Sequence, residues 1–131
     1  MESFLSFDAL FSLARRTDAV TSDCSCNSHE LDGWASLPVF FPELQLSAIG
    51  TLVLDIYAET TFEEYHPQDT NLWSVNAPIA PRYYPYNRCT VWECLACQRV
   101  YLRYVEGGGY FVDPRIRRLR SCVLVDAPLP L

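Results

Sequence analysis

The stretch RCTVWECLACQRVYLRYVEGGGYF, Arg88 to Phe111, decides the architecture. Val91 and Trp92 precede the pair Cys94 and Cys97, and Arg99 to Val105 follow it with the alternating character of a pleated strand. Two strands joined by a tight, cysteine-bearing turn are therefore predicted. Glu106 to Gly109 reads as a second hairpin turn that leads into a short third strand, Tyr110 to Val112. Beyond it, Asp113 is placed to cap a helix with Pro114 at its first position, running through IRRLR. The tail SCVLVDAPLPL is one more short apolar run stopped by prolines, with Cys122 expected in the core.

Working back toward the N-terminus, Phe4, Phe7, Leu10, Phe11 and Ala14 recur at spacings of three and four, which predicts an amphipathic helix over Ser3 to Ala19. A polar loop, TSDCSCNSHELDGW, follows and carries two cysteines and a histidine. From Leu37 the chain reads as an extended lead-in and then a short helix, with Pro42 in its first turn and Gly50 just past its end. Thr51 to Tyr57 is β-branched and apolar enough for a strand. Thr61 to Glu64 has capping-box spacing and predicts one or two helical turns ending before Pro67. The proline-rich stretch from His66 to Asn87 suits neither a central strand nor a long helix, and is expected as an irregular segment pinned by Trp73, Ile79 and its tyrosines. The expected fold is α+β: a single domain over residues 1–131 with an N-terminal helix and a C-terminal, zinc-ribbon-like antiparallel hairpin and sheet.

Half of the 131 residues are apolar and 20 % are charged, as in a globular chain with a real core. The net charge of −6 disfavours a phosphate backbone as partner and favours a basic protein. The N-terminal sequence lacks the pattern of a signal peptide and no stretch is apolar enough to span a bilayer, so a cytoplasmic location is expected. In a reducing compartment the six cysteines read as thiolate ligands or buried thiols before disulfides.

Zinc takes four thiolate or imidazole ligands in a tetrahedron, and a CxxC on a turn between strands presents two sulfurs to one ion. Cys94 and Cys97 fit that role, and Cys24 and Cys26 offer the other half, with His29 and Cys89 as alternative ligands. The expected site is therefore structural Zn2+ on Cys24, Cys26, Cys94 and Cys97, pinning the polar loop to the hairpin. Two other readings stay open. One is a redox pair, disfavoured because a reactive CxxC usually opens a helix; the other is thiols buried without an ion. The position after the second cysteine, where zinc knuckles commonly place glycine in a left-handed conformation, is Gln98.

No catalytic residues are assigned. Glu63, Glu64 and His66 read as solvated polar residues, and no nucleophile elbow, phosphate loop or paired-histidine motif is present. Tyr83, Tyr84 and Tyr86 are candidate anchors for a partner, with packing of the proline-rich segment as the competing use. Arg99, Arg103 and the arginines at 115, 117, 118 and 120 are the residues a nucleic-acid-binding regulator would use.

The segments DGWASLP (32–38), TFEEYHP (61–67), NLWSVNAPIA (71–80) and residues 82–119 resemble a family of small, largely uncharacterised bacterial proteins. Its pattern is a CxxC followed by R-x-x-L-R-Y-x-E-x-G-G-Y, and the likeness covers about three quarters of the chain. In size and acidity such proteins are similar to the immunity proteins of bacterial toxin systems. The resemblance itself carries no established activity; by that analogy of class the expected function is a non-catalytic immunity-type or adaptor protein that binds a basic toxin domain, and the arginines named above supply the alternative, a zinc-ribbon nucleic-acid-binding regulator.

Overall fold

The computed structural model describes residues 3–57, 60–107 and 110–130. Its one helix, α1, spans Phe7–Asp18 and starts where the Ser6 hydroxyl accepts the N–H of Ala9. Leu10, Ala14 and Thr17 form its buried face, and Arg15 and Arg16 sit in the last turn where the helix dipole favours them. Five strands follow: β1 Ala35–Ser36, β2 Leu46–Thr51, β3 Thr90–Cys94, β4 Val100–Gly107 and β5 Val112–Arg118. They form one antiparallel sheet in the order β1-β5-β4-β3-β2. The protein is thus α+β, with the cysteine hairpin β3–β4 at the centre of the sheet as its alternation requires.

Strand side chains alternate between faces, and both faces of this sheet are covered. On one face Val91, Val100, Leu102 and Tyr104 pack against Leu10 and Ala14 of α1, with Trp34, Ile79, Tyr86 and Leu119 closing the cluster. On the other, Leu46, Cys94, Tyr101 and Ile116 meet Cys26, Leu31 and Phe41. The polar loop after α1 is therefore the lid of the second core, although Cys26 and Leu31 are nearly all it buries there.

Several local expectations give way to tertiary pairing. Ser3 to Leu5 are not helical: Leu5 N–H and Ser3 C=O pair with the backbone of Thr51. The helix expected after Pro42 is one 3-10 turn, Glu43–Gln45, and the residues up to Gly50 belong to β2. The strand expected over Thr51 to Tyr57 ends at Thr51, opposite the start of β3 at Thr90, with one further bond from Leu52 N–H to Cys89 C=O at 2.9 Å. Thr61 does not open a helix; its hydroxyl accepts from Glu63 N–H, and the Thr61 carbonyl is taken by Asn87 Nδ2.

The largest correction concerns Asp113 to Arg120. Val112–Arg118 is β5, paired residue by residue with Tyr101–Gly107 of β4. The third strand thus begins at Val112, with Tyr110 and Phe111 exposed ahead of it, and Gly108 and Gly109 of the expected turn lie outside the described residues. Cys122 is exposed and is no core thiol, and Trp73 is half exposed beneath the Arg115 guanidinium, 4.6 Å from its ring centre. Ile79, Tyr83 and Tyr86 do pin the proline-rich segment, being 0, 6 and 4 % exposed. Among the described residues no helix is long and apolar enough to cross a membrane.

Candidate metal centre

The turn between β3 and β4 is built to present sulfur. Cys94 N–H donates to Arg99 C=O at 2.8 Å and Gln98 N–H donates to Cys94 C=O at 2.7 Å, so the chain wraps around the Cys94 side chain. This wrap needs a left-handed residue after Cys97, and Gln98 supplies it with φ of 72°. The glycine usual there is absent, but its conformation is kept. The N–H groups of Cys97 and Ala96 then point at the Cys94 sulfur. Leu95 N–H donates to Gln45 C=O, tying the turn to the end of the 3-10 turn before β2.

The second pair comes from the loop. Ser25–Asn27 form a 3-10 turn in which Asn27 N–H reaches Cys24 C=O at 3.0 Å, which brings Cys24 and Cys26 to one side despite the one-residue spacing. Cys26 is fully buried, and Tyr101 of β4 donates its hydroxyl to the Cys26 sulfur at 3.2 Å. The Gln45 amide oxygen lies 3.5 Å from Cys94 Sγ and 3.8 Å from Cys24 Sγ, bridging the two halves.

All four sulfurs lie within 4.8 Å of one another, with Cys26 to Cys97 at 3.4 Å and Cys24 to Cys94 at 3.8 Å. A tetrahedron with metal–sulfur bonds of about 2.3 Å has sulfur–sulfur edges of about 3.8 Å, so the set fits a tetrahedral metal ion. All four are free thiols, far beyond disulfide bonding distance. The expected ligands Cys24, Cys26, Cys94 and Cys97 are thus brought together across 70 residues of sequence. The two alternatives stay out: His29 is exposed and not in the group, and Cys89 is buried in the helix-side core with its thiol on Pro85 C=O.

The environment tunes the thiols unequally. Burial raises Cys24, but the Cys26 N–H and its neighbouring thiols outweigh it and bring Cys24 down to about 7. Burial pushes Cys26 well up, more than the Tyr101 hydroxyl can offset, and raises Cys94 against the pull of the two N–H groups. A metal ion binding here has to displace protons from the buried thiols. In return it offers charge compensation that the metal-free cluster lacks.

Other candidate residues are used differently from their sequence reading. Tyr83 donates to Pro128 C=O, and Tyr86 accepts from both Trp34 Nε1 and Arg117, so both tyrosines are structural. Tyr84 is partly buried and bonds the Glu106 carboxylate. Glu64 pairs with His66 at 2.7 Å, and Glu63 is exposed. The arginines turn mostly to intramolecular partners. Arg103 pairs with Glu43, Arg115 with Asp113 at 2.9 Å, and Arg118 and Arg120 with Asp32 at 2.8 and 3.8 Å. Arg117 is 0 % exposed and donates to Asp32 C=O, Val75 C=O, Ala77 C=O and the Tyr86 hydroxyl. Gln45 and Tyr101 contact the sulfurs without any signal in the sequence, since neither lies beside a cysteine. Comparisons with protein-family models, curated proteins and solved structures gave no match to this chain.

Proposed function

We propose that this chain is a non-catalytic protein-binding protein of the immunity type, which neutralises a basic toxin domain, and that Zn2+ on Cys24, Cys26, Cys94 and Cys97 holds its fold. For the metal, the support is a closed set of four thiol ligands. Structural zinc sites have four protein ligands, whereas catalytic ones leave a position for water or substrate. Borderline-soft, tetrahedral Zn2+ suits an all-sulfur set better than the oxygen-seeking ions do.

For the partner, the supporting observation is where the charges go. Of the ten arginines, eight make ion pairs or hydrogen bonds within the protein, Arg99 is buried, and Arg15 alone is exposed without a partner among the described residues. Asp8, Asp23, Glu30, Asp55, Glu63 and Asp69 are exposed and outside every ion pair among those residues. The outward charge is thus more one-sided than the net of −6 suggests, which steers a basic protein toward it and a phosphate backbone away.

Elemental analysis of untagged protein tests the metal: about one zinc per chain is expected, falling in Cys94→Ser and Cys97→Ser. A folded, zinc-free wild type would overturn that half. Chromatography tests the partner: no retention on heparin at low salt is expected, together with capture by a column bearing a basic toxin domain encoded beside this chain. Retention on heparin that moderate salt abolishes would instead favour the nucleic-acid regulator.

A further inference from the structure

Among the described residues Arg99 is the one buried arginine outside every ion pair whose side chain also leaves donors without a hydrogen bond. It is 3 % exposed, and its Nε and Nη1 find no hydrogen bond. None of the ion pairs among the described residues includes it. A buried cation with orphaned donors is costly, because each unsatisfied group keeps its full desolvation penalty and the charge has no opposite. Arg117 shows the contrast within the same protein: it is more deeply buried and donates to four oxygens.

What faces Arg99 identifies its counterpart. Cys94 N–H donates to Arg99 C=O at 2.8 Å, so the two residues stand opposite each other and strand alternation puts Arg99 on the sheet face of Cys94 and Tyr101. Burial there disfavours its charge, while three groups favour it, Cys97, Cys26 and Tyr101. Two of these are ligands of the four-sulfur cluster, and the third donates to the Cys26 sulfur. As neutral thiols they would leave Arg99 uncompensated. As four thiolates on a divalent ion they carry a net charge of about −2, itself expensive to bury. Placed side by side, the two charges offset part of each other's cost.

We propose that Arg99 is the counter-charge of the metal centre, a positioning residue that touches the ligands from outside and stabilises the metal-bound, thiolate form selectively. This rests on the zinc reading above. The backbone N–H groups on Cys94 and the Tyr101 hydroxyl on Cys26 neutralise part of the sulfur charge by dipoles, and Arg99 supplies a full positive charge on the Cys97 side. The Gln45 amide, drawn with its oxygen toward two sulfurs, would present Nε2 instead once these are thiolates, since a rotation of the group exchanges the two atoms.

Zinc affinity is to be measured by chelator competition on wild type, Arg99→Met and Arg99→Lys, with urea unfolding of each in the zinc-loaded and chelated states. Arg99→Met is expected to bind zinc about 10- to 100-fold more weakly, as other outer contacts to metal ligands do, while its metal-free form stays at least as stable as the metal-free wild type. Arg99→Lys, which keeps the charge, should hold zinc within about threefold of wild type. Unchanged affinity in Arg99→Met, equal destabilisation of both its states, or equal weakening by Lys and Met overturns the proposal. Should Arg99→Met not fold, the comparison of Arg99→Lys with wild type decides alone, a tenfold loss counting against it. A wild type that takes up no zinc, and gives no thiolate charge-transfer band with cobalt, overturns the zinc reading itself and is a distinct result.

Discussion

Gln98 shows how a single backbone angle is imposed from outside the residue. Its φ of 72° costs a side chain with a Cβ about 1–2 kcal/mol, and the hydrogen bonds of the turn between Cys94 and Arg99 hold it there. The side chain is exposed and makes no hydrogen bond among the described residues. Gln98→Gly is therefore expected to raise the stability of the zinc-loaded protein by about 0.5–1 kcal/mol in urea, the strain relieved less the greater freedom of glycine in the unfolded chain. A loss of stability would show that the glutamine side chain contributes something the turn geometry does not reveal. At this scale the sequence was informative about the cysteines, because their spacing is itself the signal. It was silent about Gln45, Tyr101 and the role of Arg99, whose meaning comes from what lies opposite them.

At the scale of elements, β5 is the instructive case. Asp113 and Pro114 are good helix starters taken alone, yet Asp113 bonds Arg115 and the Ser36 hydroxyl while Pro114 sits opposite Val105 in the ladder. Seven cross-strand pairs with β4 outweigh a cap worth about 1 kcal/mol. The strand then aims Arg117 into the helix-side core, where it holds the 75–77 segment and the Asp32 turn. Arg117→Met should destabilise the protein by about 2 kcal/mol or more, since it removes four buried hydrogen bonds and strands the Ala77 carbonyl, while Asp32 and Val75 C=O keep Arg120 and Tyr86 keeps Trp34. Hydrogen exchange should quicken first at Asn71 to Ala80; a change below about 1 kcal/mol would mean that these groups find water instead. The same competition explains β2, where a run that pattern alone assigns to a helix is drawn to the open edge of β3.

For the molecule as a whole, the four-cysteine cluster lies where the second core is thin. The loop from Asp23 to Leu31 buries little apolar surface, so under the proposed zinc site the four thiols tether it as side-chain burial does on the helix side. Acid should release it. Cys26 and Cys94 have raised thiol pKa values, so both carry protons in the metal-free protein at neutral pH, and zinc must displace them. Affinity therefore falls as pH falls, about tenfold per unit for each proton; these two protons over two units alone make a loss of about 10⁴ or more between pH 7.5 and 5.5, and Cys24, brought down to about 7, adds to it. Chelator competition across that range checks the slope, and exchange at the loop should rise with metal loss while Val91, Val100 and Leu102 stay protected. An affinity independent of pH would count against thiolate ligation.

The sequence by itself determined the helix, the central hairpin and the identity of the four clustered cysteines, because each is written in spacings of a few residues. The tertiary structure decided that residues 46–51 and 112–118 are strands, that most arginines pair within the protein, and that CSC meets CxxC with Arg99 buried opposite Cys94. Those outcomes depend on partners distant in sequence: a strand needs an open edge, and a buried charge needs its opposite. Neither is visible until the chain has folded.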